Sequence, residues 1–171
     1  QEVGPSRDID ARGPFAIIAP WNFPMAIPCG MTASALLTGS SVILKPAEQT
    51  PLITCELVNL FHEVGVPKDA LIHLPGVGET VGQKLVEDER IAGVIFTGSK
   101  PVGVHIAKVC SQRLYHNRET QKTYPVKVIT EMGGKNAVIV TNNAEIDETV
   151  DGILYSAFAH AGQKCSAASR V

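Results

Sequence analysis

Cys165 lies in the run Ala161-Gly162-Gln163-Lys164-Cys165-Ser166-Ala167, a loop of small residues in which Gly162 frees the backbone just before the thiol. A cysteine so placed can present its sulfur and its own backbone N–H to one incoming carbonyl carbon, combining a nucleophile with an oxyanion donor. A cysteine near a helix end is otherwise a small buried hydrophobe. Neighbouring residues bear on the choice. A strand-like run delivers the carboxylate of Glu131 in Glu131-Met132-Gly133-Gly134-Lys135, where two glycines suggest a closely packed backbone. His160 is also near Cys165, but helical spacing points the two side chains in different directions and no orienting third group is evident, so a cysteine hydrolase is poorly supported.

Other residues suggest nucleotide binding. Pro75-Gly76-Val77-Gly78-Glu79-Thr80-Val81-Gly82 is a relaxed dinucleotide fingerprint with one residue too many before its last glycine, and a plain tight turn explains it equally well. Phe96-Thr97-Gly98-Ser99 follows an apolar run and puts Ser99 at the start of a helix, where backbone N–H groups and the helix dipole favour an anion such as a pyrophosphate. An ordinary serine cap reads the same way. Lys45 and Glu48 come just after a strand's C-terminal end, where open α/β sheets bind ligands, although a charged pair there is commonly only solvated.

The elements that must position these residues alternate. Phe15–Ala19, Ser41–Lys45, Leu71–Leu74 and Gly93–Phe96 are short apolar runs expected to be buried strands. Between them, Pro24–Leu37 is helical and stops at Gly39. A second helix starts at the Thr50-Pro51 cap, carries Ile53, Leu57, Leu60, Phe61 and Val64 inward, and ends at Gly65-Val66-Pro67. Val77–Val86 is a short helical segment. The helix after Ser99 places Ile106, Val109, Cys110 and Leu114 toward the core. Tyr115–Tyr124 reads as a surface loop and Val126–Thr130 as a strand. The series predicts an α/β fold with a parallel sheet and right-handed crossovers. Ala137–Val140 begins a different sheet, with a domain change near Gly134. A last helix, with Ile146, Val150, Ile153, Leu154, Ala157 and Phe158 on one side, ends before Gly162. The domains expected are thus 13–133 and 134–171, with 1–12 a loop or edge segment.

Composition excludes other classes. With 171 residues, 44% hydrophobic, 15 basic and 17 acidic side chains, the chain lacks the basic excess that nucleic acid demands. Its apolar runs are all too short for a membrane span, and its N-terminus has no secretory pattern, which predicts an intracellular protein. The 4 cysteines form no Cys-x-x-Cys and the 5 histidines no paired-ligand spacing, so no metal is expected.

With Pro20-Trp21-Asn22-Phe23-Pro24 further back, the motifs around Glu131 and Cys165 resemble, in type and order, the active-site motifs of the aldehyde dehydrogenase superfamily from about Gly13 to Val171. The resemblance implies a Rossmann-like NAD-binding domain followed by the start of an α/β catalytic domain. It implies that Cys165 is the nucleophile, that Asn22 and the Cys165 N–H hold the oxyanion, and that Glu131 activates water. It further implies that Lys45 and Glu48 contact the adenosine ribose and Ser99 the pyrophosphate, with Trp21, Gly76, Gly78, Phe96, Thr97, Gly98 and Gly133 completing the cofactor site. A carboxylate such as Glu48 accepts hydrogen bonds from a 2′-hydroxyl and repels a 2′-phosphate, which favours NAD over NADP, although Lys45 could receive a phosphate.

Gly78–Gly82, Gly162–Ala167 and the long connection between Phe96 and Glu131 are most like the branch that oxidises L-glutamate γ-semialdehyde, the pyrroline-5-carboxylate dehydrogenases and bifunctional proline utilisation proteins. In that branch Ser166 matches a residue near the substrate carboxylate. The resemblance also implies a small aldehyde substrate, a homo-oligomeric parent open to fusion with a proline dehydrogenase domain, and a place in the cytoplasm, or in the mitochondrial matrix of a eukaryote. The chain is short for such an enzyme and Ser169-Arg170-Val171 reads as the start of a strand that has been cut; with most of a catalytic domain lacking, negligible turnover is expected from these residues alone. The alternatives are a dehydrogenase for another aldehyde and a nucleotide-binding module without catalysis.

Overall fold

A computed structural model of the protein describes residues 11–171, so most of the polar lead-in expected at 1–12 lies outside the described residues. The chain divides into two compact units, the first ending at Glu131 and the second running Met132–Val171.

The first unit alternates strand and helix: β1 (Phe15–Ile18), α1 (Ala26–Leu37), β2 (Val42–Lys45), α2 (Pro51–Glu63) and β3 (Leu71–His73). A π-helical turn (Gly78–Gly82) then runs into α3 (Gln83–Glu87), followed by β4 (Gly93–Gly98) and α4 (Lys100–Ser111). β5 (Leu114–His116), β6 (Thr123–Pro125) and β7 (Lys127–Met132) follow, the last residue of β7 falling in the second unit. The five-stranded sheet has the order β3-β2-β1-β4-β7. β1 pairs in parallel with both β2 and β4, and β2 with β3. The chain thus builds outward from β1 on one side and returns to the other with β4. Between β1 and β4 lies the topological switch point, beyond whose C-terminal ends such sheets bind ligands.

Alternating strand residues and the helix faces over them make the core. Phe15, Ile17, Val42, Leu44, Leu71 and Ile95 cluster with Ala35 of α1 and Val58 of α2, and Phe61 packs against the cluster. Each large aliphatic side chain buried this way contributes about 1.5–3 kcal/mol. Leu85 and Val86 of α3 and Ile106 and Cys110 of α4 are buried as well, and burial pushes the Cys110 thiol pKa up.

Four expectations are corrected here. On α2 the buried residues are Thr54, Leu57 and Val58, whereas Ile53, Leu60 and Val64 are exposed. Thr50 and Ser99 occupy cap positions, but neither side chain makes a capping hydrogen bond. Leu114 is exposed, because α4 has already ended at Ser111. The expected loop at 115–124 is bracketed by an antiparallel hairpin in which Tyr115 pairs with Tyr124. Asn117 closes its turn: the side-chain oxygen accepts from the N–H groups of Glu119 (2.9 Å) and Thr120 (3.0 Å).

In the second unit β8 (Asn136–Ala137) pairs in parallel with β9 (Ala168–Arg170), and α5 (Ile146–Phe158) runs into a 3-10 turn (Ala159–Gly162). The expected apolar stripe on α5 is present in sequence, but Ile146, Val150, Leu154 and Phe158 are exposed, and no residue of this unit is buried.

Candidate active site

At the C-terminal edge of the sheet Ile18 pairs with Lys45 on one side and Phe96 on the other, so the ends of β2, β1 and β4 form one row. The Lys45 side chain is only 3% exposed. A buried ammonium needs partners. Lys45 Nζ donates to the Pro46 carbonyl at 2.9 Å and to Glu48 Oε1 at 3.0 Å. Partial burial would raise the Glu48 carboxyl pKa. Hydrogen bonds from its own N–H, from Lys45 and from the Gly78 N–H, with the Lys45 charge, outweigh that and hold it below the ordinary carboxylate value. Position 78 bears no side chain; a Cβ there would lie 3.5 Å from Glu48 Oε1. One at Gly82 would lie 3.7 Å from the Lys45 stem. The fold therefore brings the glycine turn, some thirty residues further along the chain, back onto the local pair Lys45 and Glu48, leaving the Glu48 carboxylate as an acceptor at the surface.

The remaining residues of this unit are distributed around the same edge. Gly76 packs under Val81, where a Cβ would collide with Cγ2. Phe96 is buried, and the Thr97 hydroxyl donates to Met31 Sδ at 3.7 Å. Gly98 abuts the Phe96 ring. Ser99 is exposed, with extended backbone, and its carbonyl accepts from the Gly103 N–H at 3.0 Å as α4 begins. Trp21 is 47% exposed and Asn22 half-buried, both between β1 and α1. Glu131 is exposed on β7. Asn22 and Ser99 thus follow the two strands that flank the switch point. A cavity of about 580 Å³ lies elsewhere, lined by Gly13, Ser41, Tyr115 and Arg118 among others, and none of the predicted residues lines it.

The second unit holds Cys165. The chain enters its loop through three successive left-handed residues, His160 (φ 58), Ala161 (φ 55) and Gly162 (φ 70). Only glycine takes that conformation without strain, so His160 and Ala161 hold a backbone that L side chains rarely adopt. Gly162 cannot be replaced freely, since a Cβ there would lie 3.0 Å from the Ala157 carbonyl. The Lys164 N–H donates to the Gly162 carbonyl at 2.8 Å and the Ala167 N–H to that of Lys164 at 3.2 Å, making a tight turn around an exposed Cys165 and Ser166. Lys164 lies over the Tyr155 ring, its Nζ 5.0 Å from the centroid. The expected close packing at the double glycine applies to Gly134 alone: a Cβ at Gly133 would meet nothing within 4 Å, whereas one at Gly134 would reach Asn136 and the Cys165 carbonyl.

Sequence reasoning missed Asn136. Its side-chain nitrogen donates to the carbonyls of Cys165 (2.7 Å) and Ala167 (3.1 Å), partners too distant along the chain for any local pattern to announce. Among the described residues no group of three or more His, Cys, Asp or Glu could hold a metal ion, and no helix is long and apolar enough to cross a membrane.

The chain thus carries polar residues at the switch point of an open α/β sheet, and a cysteine loop follows that sheet in sequence. Residues 8–171 match the aldehyde dehydrogenase family, and the chain belongs to it. It is 47% identical over 155 residues to the bifunctional protein PutA of Klebsiella aerogenes, covering 91% of this chain and 11% of that protein. Over 159 residues it is 42% identical to the 1-pyrroline-5-carboxylate dehydrogenase of Anoxybacillus flavithermus, covering 91% and 29%. A crystal structure of the Thermus 1-pyrroline-5-carboxylate dehydrogenase with bound NAD aligns with a TM-score of 0.85 and 42% identity over 94% of this chain and 30% of that one. The chain thus spans between a tenth and a third of the length of these relatives.

Proposed function

We propose that the chain forms part of an NAD-dependent aldehyde dehydrogenase that oxidises L-glutamate γ-semialdehyde to L-glutamate, with 13–133 as the dinucleotide-binding domain and 134–171 as the start of the catalytic domain. The observation that carries this reading is an exposed cysteine on a tightly turned loop in a chain 42% identical to a 1-pyrroline-5-carboxylate dehydrogenase. Similarity to PutA proteins supports a possible fusion with a proline dehydrogenase domain. A homo-oligomeric parent working in the cytoplasm or mitochondrial matrix is part of the proposal.

The residues fit a nicotinamide dinucleotide. Glu48 is a charged acceptor held by Lys45 and the Gly78 N–H, suited to ribose hydroxyls. Ser99 opens a helix whose first-turn N–H groups suit a pyrophosphate, and Gly76, Gly78, Gly98 and Gly133 leave the backbone without side chains along the proposed site. Trp21, Phe96 and Thr97 complete the walls. When bound, the nicotinamide would supply the hydride acceptor that turns a thiohemiacetal into a thioester.

The chain's own residues do the rest. Cys165 Sγ, as thiolate, adds to the aldehyde carbon and makes a tetrahedral oxyanion. The side-chain amide of Asn22 and the Cys165 N–H donate to that oxygen. After oxidation Glu131 takes a proton from water, the resulting hydroxide attacks the thioester carbon, and the carboxylic acid leaves as the C–S bond breaks and the Cys165 thiolate is regenerated. Ser166 hydrogen-bonds the substrate carboxylate.

In the full-length enzyme containing this chain, kcat/KM for NADH formation is expected to be higher with glutamate semialdehyde than with aliphatic or aromatic aldehydes. The reverse ranking would remove the substrate while leaving the chemistry. Coenzyme choice gives a second check. In Glu48→Gln the amide still accepts from Lys45 but no longer repels a 2′-phosphate. The NAD to NADP ratio of kcat/KM should fall about tenfold, or about 1.4 kcal/mol. An unchanged ratio would take Glu48 out of coenzyme selection.

A further inference from the structure

Asn136 has no part in the reaction just described, yet its side-chain nitrogen donates to the Cys165 carbonyl at 2.7 Å and the Ala167 carbonyl at 3.1 Å, on either side of Ser166. Both partners can only accept, so the amide must present its NH2 with both hydrogens engaged. A carboxylate of the same shape would have no donor to offer. The approach depends on glycine at position 134, where a Cβ would stand 3.0 Å from Asn136 Oδ1, 3.2 Å from Nδ2 and 3.3 Å from the Cys165 carbonyl oxygen.

Main-chain contacts tie the same residues. Asn136 pairs with Ala168 in the β8–β9 ladder, and the Ser169 hydroxyl donates to the Asn136 carbonyl at 3.3 Å. Arg170 Nη2 donates to the Lys135 carbonyl at 2.9 Å. The exit of the cysteine loop is therefore fastened to β8, while the left-handed residues 160–162 set its entry. A residue has two soft backbone dihedrals, and fixing the carbonyl of Cys165 restrains ψ on the side of its Cα opposite its N–H. That restraint limits how far the Cα of Cys165, and the Cα–Cβ bond that carries Sγ, can swing.

We propose that Asn136 is a positioning residue that fixes the loop carrying Cys165 before substrate arrives. The proposal rests on the reading of Cys165 as nucleophile.

The test compares Asn136→Ala and Asn136→Asp with the unaltered full-length enzyme by peptide-resolved amide hydrogen exchange and by steady-state kinetics. Exchange across 163–167 should accelerate at least about tenfold relative to β1 and β2, which should not change. The kcat should fall about tenfold or more, as a small misplacement of a reacting atom produces, while KM for NAD stays within about twofold. Acidification that protonates the introduced carboxyl of Asn136→Asp returns one donor and should slow its loop exchange relative to Asn136→Ala at the same pH. Loop exchange unchanged in both variants, or a kcat loss without faster loop exchange, would overturn the proposal. Should Asn136→Ala fold poorly, the near-isosteric Asn136→Asp and its pH response decide alone. Cys165→Ser separates the two readings: full turnover there removes the nucleophile whatever the loop does. An inactive Cys165→Ser with unchanged loop exchange in the Asn136 variants removes only the positioning role.

Discussion

Replacing Cys165 with serine is expected to lower NADH formation by the full-length enzyme roughly a thousandfold or more, since a serine hydroxyl without an adjacent base is a poor nucleophile. The change removes no hydrogen bond found at the loop, which is held through the backbone carbonyls of Cys165 and Ala167 and through the turn at Gly162. Folding and nucleotide binding should therefore survive, and nucleotide titration should give the dissociation constant of the unaltered enzyme. Thiol labelling provides an independent readout. Cys29 and Cys55 are half-buried, Cys110 is buried and Cys165 is exposed, so a small alkylating reagent should mark the Cys165 peptide first and that peak should vanish in Cys165→Ser. Wild-type turnover in the serine variant would end the nucleophile assignment.

How much of this arrangement the chain announces depends on how local each determinant is. β1, β2 and β4 were legible because Phe15–Ile18, Val42–Lys45 and Gly93–Gly98 are apolar runs bounded by proline, glycine or polar residues. The inward face of α2 was not, because Ile53, Leu60 and Val64 satisfy the helical period as well as Leu57 does. Burial chose Thr54 instead, whose hydroxyl finds the Thr50 carbonyl at 3.0 Å. The β5–β6 hairpin escaped notice because its three-residue strands are too short to set up an alternating pattern and its pairing bridges a long polar turn.

At the site the same division holds. The spacing of Lys45 and Glu48 is a local signal, whereas the Gly78 N–H reaches Glu48 only because the turn after β3 folds back. Gly162 signalled a turn, but nothing in the types of His160 and Ala161 marks them as left-handed. Asn136 shows the limit most clearly, since both its partners lie across the β8–β9 ladder.

Asn22→Ala is expected to lower kcat about 10²–10³-fold, or about 2.7–4 kcal/mol in the barrier, the usual effect of removing one oxyanion donor. The effect should be large because the residue is set close to rigid structure. The Ala19 N–H donates to the Lys45 carbonyl at 3.0 Å, extending the β1–β2 ladder, and Ala19 and Pro20 are buried. Just beyond, the Ile27 N–H reaches the Phe23 carbonyl at 3.3 Å and the Cys29 N–H that of Met25 at 3.0 Å, so α1 begins at once. Asn22 is thus confined to a short tether between the central strand and a helix, which is what a donor aimed at one developing charge requires. NAD affinity should change little, because Lys45 and Glu48, the pair proposed to meet the ribose, lie on β2 and the turn after it. Asn22→Asp sharpens the test: its carboxylate has no donor and would repel the oxyanion, so it should lose at least as much kcat as Asn22→Ala despite its near-identical shape. Unaltered kcat in both variants would mean that the oxyanion is held by other donors, and the Cys165 N–H would then stand as the one remaining candidate.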